Sequence, residues 1–424
     1  MDQKLLAALD ERKEQYIDWL CQLVGKDTRV LGHGIDGGYE ENGQAWLEEL
    51  LQQMGADNII SDPMDEEVIQ ESIRLYHEGN PGHNHENRRN LYATFKGCDP
   101  DGRSLMFNGH MDTMPYGDIN RWTHPPIQGT VEDGWIWGLG TTDMKAGLMA
   151  AVAAVDLLKT AGINHKGNVV LTSVCDEEGG GNGSIQAAMH GQKADAVIVA
   201  EPSGGSLFAC HNGFIFFQVD VEGKAVHSGS KWEGVSAIEK AWKLIHALDE
   251  LEHHWQLTRR HPYLPGPSGN VGVIEGGTAG STTADFCRFK TCIHYNPGMT
   301  HDGVVAEVQE AINNVCAGDP WLREHPPVVS IYQAGGPYEQ ELDHPFVDAF
   351  KGAFASIMGE EVVVKGLPGG CDSRTWKNIA GCPTLHYGPG DPTRSHSIDE
   401  ALTVEDYLES ILIYAQLIID WCGC

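Results

Sequence analysis

Four short runs of apolar residues punctuate the chain: residues 104–107, 168–174, 196–200 and 383–387. A half-buried strand alternates apolar and polar positions. These runs do not, which predicts strands buried on both faces, as in a parallel sheet. Residues 148–158 are almost wholly Ala, Val, Leu and Met, with Gly162 beyond them as a C-cap. They predict a helix that is buried all round. Amphipathic stretches predict helices over residues 1–24 and 43–54, ending at Gly25 and Gly55.

The pattern changes near Cys210. Residues 214–221 alternate like a half-buried strand, and 235–251 read as a helix. Residues 270–274 and 286–294 read as strands, 303–316 as a helix, and 328–332 as a last strand. That order suits a small α+β unit inserted into an α/β domain. The expected division is 1–209 and 336–424 for an α/β domain with a mostly parallel central sheet flanked by helices, and 210–335 for the insert. A chain of 424 residues is too long for one ordinary core, which agrees with two domains. Residues 62–90 look like an acidic excursion carrying His77, His83 and His85. The turn-forming stretch Glu78-Gly79-Asn80-Pro81-Gly82 makes a solvated loop the expectation there, ahead of a third metal site.

The net charge of −31 argues against nucleic acid or anionic membrane as a partner. The first twenty residues carry acids throughout, unlike a signal peptide, and no run reaches membrane-spanning length. The eleven cysteines show no zinc-finger spacing, so mostly buried thiols in a reducing, cytoplasmic setting are expected.

Candidate chemistry sits where the apolar runs end. Gly109-His110-Met111-Asp112-Thr113 follows the first, and Asp176-Glu177-Glu178-Gly179-Gly180 the second. Glu201-Pro202-Ser203 follows the third, and Gly388-Pro389-Gly390 with His396 the fourth. Parallel strands end on one side of a sheet, so these carboxylates and histidines would converge on one rim, where open α/β sheets hold ligands. Gly138 to Gly147 contributes Asp143 at or before the start of the buried helix. Taken alone, Asp143 would be an N-cap. Beside the other clusters, a metal-ligand role is the simpler account. Likewise Glu177 and Glu178 repel each other unless cations offset them, and read as one ligand and one free base.

Together these motifs resemble the M20 family of co-catalytic zinc hydrolases, as does Gly223-Lys224-Ala225-Val226-His227-Ser228-Gly229. The resemblance implies that His110, Asp143 and Glu201 hold one metal, and that Asp143, Glu178 and His396 hold the other. It implies that Asp112 orients His110, that Glu177 is the general base, and that His227 donates to the oxyanion from a partner's lid. The insert would then be a lid and dimerisation domain, and the protein a homodimer. In such centres a shared carboxylate and water lie between metals roughly 3.5 Å apart. A His-plus-carboxylate set suits two Zn²⁺ ions, with Co²⁺ or Mn²⁺ as alternatives.

The substrate is less legible. Relatives that bind an α-carboxylate use an Asn and an Arg in the lid, flanking a Pro-Asp step. Here Ser281 stands at the Asn position, Ala284 at the Pro and His294 at the Arg, with Asp285 kept. Arg374 is the remaining candidate for a substrate carboxylate, with pairing to Asp372 as its structural alternative. The expected activity is metal-dependent cleavage of a small N-acyl amino acid amide. A dipeptidase or carboxypeptidase-like peptidase is the alternative, and a non-catalytic binder is disfavoured because the base and every ligand are present.

Overall fold

A computed structural model describes residues 3–424. The chain divides into two compact units. The first comprises the residues up to Ala209, with Glu339–Lys365 and Cys371–Cys424; the second is Cys210–Tyr338 with Gly366–Gly370.

The centre of the first unit is a mixed sheet. Seven of its nine strands run in the order Asn58–Pro63, Arg89–Phe95, Val169–Val174, Leu105–His110, Val197–Val199, Thr384–His386 and Ser206–His211. The four runs singled out from the sequence are its four adjacent parallel strands. Their lack of alternation has the expected cause, since Leu105–His110 and Val197–Val199 are buried at every position. The outer pairings are antiparallel.

The buried helix is Ala146–Thr160, with every residue from Ala146 to Leu158 out of solvent. It packs against helices Gln3–Val24 and Val404–Cys422. The expected first helix included Met1 and Asp2, which lie outside the described residues. Gly147 permits the helix's close approach to the sheet: a Cβ there would lie 1.8 Å from the Ala200 carbonyl oxygen. A Cβ at Gly388 would meet the same oxygen at 2.3 Å. Both glycines therefore let the chain close around the end of the Val197–Val199 strand.

Residues 62–90 differ from the solvated loop expected of them. They contain a helix, Glu66–Tyr76, capped by Asp65 accepting from Glu67 N, and His83 is buried. His83 Nδ1 lies 2.7 Å from Asp176 Oδ2. The partner that draws it inward is far along the chain, which is why turn composition misled.

The second unit is a four-stranded antiparallel sheet in the order Ser268–Gly276, Phe286–Tyr295, Gly213–Glu222 and Val328–Gly335. Helices Ala237–Thr258 and His301–Gly318 pack with it around a core of its own, including Ile215, Phe217, Leu244 and Val308. No helix among the described residues is long and apolar enough to cross a membrane.

Candidate active site

The ends of the four parallel strands bring their polar residues together as parallel topology requires. His110 closes its strand, Glu201 follows Val197–Val199, Glu178 follows Val169–Val174, and His396 lies beyond Thr384–His386. Asp143 joins them from the turn ahead of Ala146–Thr160, where the backbone leaves helical geometry.

Two donor groups result: His110, Asp143 and Glu201, and then Asp143, Glu178 and His396. Within each group one ligand atom per residue lies within 4.8 Å of the others. Asp143 belongs to both because its two oxygens face different histidines. His110 Nε2 is 3.0 Å from Oδ1 and 3.6 Å from Glu201 Oε1. His396 Nε2 is 3.4 Å from Oδ2 and 2.9 Å from Glu178 Oε2.

The electrostatics ask for cations. Burial and the Asp143 carboxylate push the Glu178 and Glu201 carboxyls up. Hydrogen bonds to Asp143 and Glu178 push the His396 imidazole up to about 11. Burial opposes protonation of His110, but Glu201 and Asp143 outweigh it and push that imidazole up as well. Each imidazole thus faces two carboxylates, and a metal bound there would take the place of a proton. The donor set of imidazole nitrogens and carboxylate oxygens fits divalent cations such as Zn²⁺.

Asp112 meets His110 through its main chain. His110 Nδ1 donates to the Asp112 main-chain carbonyl at 2.8 Å, while the nearer carboxylate oxygen is 3.7 Å away. The carboxylate instead accepts from Glu177 N at 3.2 Å and Glu178 N at 2.9 Å. It holds the turn that presents both glutamates.

Asp176 anchors the same turn from behind. Its backbone is left-handed, at φ +62°, and its carboxylate accepts from Arg88 Nη2 at 2.9 Å and Asn182 Nδ2 at 2.7 Å. Arg88 also pairs with buried Glu40. Glu177 itself makes no side-chain hydrogen bond among the described residues, and burial followed by the nearby Asp372 carboxylate pushes its carboxyl well up.

Arg374 is turned into the protein rather than toward a substrate. It is 2 % exposed. Nε donates to Glu78 Oε2 at 3.0 Å, Nη1 to Cys371 O at 2.7 Å and Nη2 to Gly180 O at 2.9 Å. A substrate contact would require it to surrender these partners. His227 lies in the second unit, exposed, with its Nδ1 accepting from Gly229 N at 3.1 Å. Ser281, Ala284 and His294 lie in that unit too.

Sequence reasoning missed Glu400, Asp176, Arg88 and Glu40. Only Asp176 stood within a recognised motif, and nothing local marks the others.

Residues 106–420 match the model of peptidase family M20/M25/M40. The chain is 33 % identical over 356 residues to an N-formyl-4-amino-5-aminomethyl-2-methylpyrimidine deformylase of Bacillus subtilis, covering 79 % of this chain and 83 % of that one. It is 29 % identical over 356 residues to an acetylornithine deacetylase of Edwardsiella ictaluri, covering 81 % and 86 %. Its fold matches an M20 family metallo-carboxypeptidase of Sulfolobus solfataricus with TM-score 0.72 at 17 % identity, covering 99 % of each chain. The chain belongs to the M20/M25/M40 peptidase family, hydrolases of amide bonds.

Proposed function

We propose that the protein is a two-metal amidohydrolase that removes a short acyl group from a small amine. The observation that carries this is the split of Asp143, one oxygen toward His110 and the other toward His396. His110, Asp143 and Glu201 would hold one ion, and Asp143, Glu178 and His396 the other. Bound there, divalent ions such as Zn²⁺ (or Co²⁺ or Mn²⁺) supply Lewis acidity, polarising the amide carbonyl and acidifying water. Glu177, unpaired and with its carboxyl pushed up, takes a proton from the attacking water. It then returns that proton to the amide nitrogen as the amine leaves. Asp112 holds Glu177 in place through its backbone N–H. His227 of the partner subunit would donate to the developing oxyanion, which makes a homodimer the working assembly and the second unit its lid.

The leaving amine need not carry an α-carboxylate. His294 stands where carboxylate-binding relatives have Arg, and burial pushes its imidazole down, toward the neutral form. Its Nδ1 is buried with no hydrogen-bond partner among the described residues. It pairs across the sheet with Phe214, whose ring meets Phe216 edge-on at 5.8 Å. A neutral imidazole beside aromatic rings suits a flat, uncharged amine better than an amino acid. The likeness to a deformylase acting on an aminomethylpyrimidine points the same way.

A hydrolysis panel tests both parts: N-formyl, N-acetyl and N-succinyl amino acids, dipeptides, and an N-formyl aminomethylpyrimidine, each with and without chelator. Chelator-sensitive release of a short acyl group is expected, fastest from the pyrimidine. Hydrolysis that survives complete metal removal would overturn the proposal, and a preference for dipeptides would favour the peptidase reading.

A further inference from the structure

Glu400 is 1 % exposed and lies four residues after His396. Its carboxylate contacts the main chain of the Asp143 segment. Oε2 accepts from Gly140 N at 3.0 Å; Oε1 accepts from Thr142 N at 2.7 Å and Asp143 N at 2.9 Å. The reason for such an acceptor is local. Asp143 (φ −118°, ψ 97°) and Met144 (φ −129°, ψ 31°) depart from helical geometry, so the regular helical ladder begins only beyond them. Buried N–H groups outside a ladder need another acceptor. A carboxylate supplies two oxygens with charge-assisted strength.

The rest of the contact is equally well tied down. Gly138 N donates to the Glu400 carbonyl at 3.0 Å, and Thr142 Oγ1 to the Ala401 carbonyl at 3.1 Å. Strand Ala401–Thr403 pairs with Trp135–Trp137. Asp399 accepts from Thr123 N at 2.8 Å and Thr123 Oγ1 at 3.0 Å. One side chain therefore joins the loop that carries His396 to the segment that carries Asp143, the residue shared by both donor groups.

We infer that Glu400 is a positioning residue for the metal centre, which sets the rotation of Asp143 so that its two oxygens serve two ions. This rests on the two-metal reading above. Glu400 belongs to neither donor group, and acts through the main chain of Asp143. Partners of this kind behind a ligand typically contribute 10–100-fold in metal affinity or activity.

The test uses the full chain with Glu400→Gln and Glu400→Ala. Glu400→Gln is nearly isosteric but sets an amide NH₂ against one of the three N–H donors, so it remains informative even if Glu400→Ala does not fold. Asp156→Asn is the control. It weakens a buried carboxylate of the same unit that serves Arg12 and Tyr16. Zn²⁺ affinity is measured by competition with a chelating dye, alongside thermal unfolding and turnover at limiting and excess Zn²⁺.

The expected result for Glu400→Gln is Zn²⁺ binding weakened about 10–100-fold, with turnover largely restored by excess Zn²⁺, while Asp156→Asn binds Zn²⁺ as wild type does. A Glu400→Gln protein that loses thermal stability like the control, yet keeps wild-type Zn²⁺ affinity, would overturn the assignment and leave the two-metal reading standing. Wild-type protein that binds no Zn²⁺ would remove both.

Discussion

Arg88→Met would remove a guanidinium that touches two buried carboxylates. The Arg88, Glu40 and Asp176 side chains are all 0 % exposed. Arg88 Nε lies 3.0 Å from Glu40 Oε1, and Nη2 lies 2.9 Å from Asp176 Oδ1. At a charge separation of about 4 Å and an effective dielectric of about 20, each pair is worth about 4 kcal/mol. Relief of the buried guanidinium's desolvation offsets part of this, and breaking a buried pair typically leaves a net loss of about 3–5 kcal/mol. That is a large share of a typical net stability of about 5–15 kcal/mol. The first unit has about 290 residues, so at about 2.1 cal/mol/K per residue its unfolding entropy is about 0.6 kcal/mol/K and Tm should fall by about 5–8 °C. The deficit should also depend on pH. Burial pushes the Glu40 carboxyl up to about 7, although Arg88 draws it down. A native value above the unfolded one means that its contribution is fully present in acid and is lost as pH rises through about 7. Removing Arg88 raises the native value further, so the deficit should widen between about pH 6 and about pH 8. Circular dichroism melts of both proteins across that range provide the measurement. A loss below about 1 kcal/mol, within the range of an exposed ion pair, would refute the reasoning. A deficit that shrinks with rising pH would refute it as well.

Three further predictions concern the chemistry. Glu177→Ala should lower turnover by about 10²–10⁴-fold while metal content stays near wild type; metal loss here, with retention in Glu178→Ala, would show the two glutamates assigned backwards. Asp112→Asn should keep its metal, because the main-chain carbonyl still orients His110. Its kcat should fall about 10- to 150-fold, the equivalent of one charge-assisted hydrogen bond of about 1.5–3 kcal/mol to the Glu177–Glu178 turn; metal loss in atomic absorption would instead restore the carboxylate to His110. His227→Ala should lower kcat by about 10²–10³-fold, and mixing it with Glu177→Ala chains should regenerate active sites; demonstrated subunit exchange without recovered activity would place the imidazole in its own chain's chemistry or in none.

The parts of this molecule visible from sequence are those governed by local pattern. Unbroken apolar runs marked the four parallel strands because burial on both faces leaves no polar position to alternate with. Once those strands were parallel, topology alone carried His110, Glu178, Glu201 and His396 to one rim. The helix Glu66–Tyr76 escaped because it buries little, with only Ile69 and Ser72 out of solvent. The polar scaffold was invisible for a different reason. His83 reaches Asp176 across 93 positions, Arg374 reaches Glu78 across 296, and Glu400 reaches Asp143 across 257. Such pairings have no period, and the residue types alone do not declare them. Asp112 shows how one residue can carry a second role that the sequence does not declare: its carbonyl meets His110, and its carboxylate holds the turn of the base.

The claim on which the rest depends is that Asp143 is shared by two ions, and metal counting tests it most directly. Wild-type protein equilibrated with Zn²⁺ and freed of excess should hold about two equivalents per chain. Asp143→Ala should weaken both sites together, because each loses an oxygen of the same carboxylate. A wild-type protein that saturates at one equivalent with full activity would contradict the account, as would an Asp143→Ala protein that keeps one site at undiminished affinity.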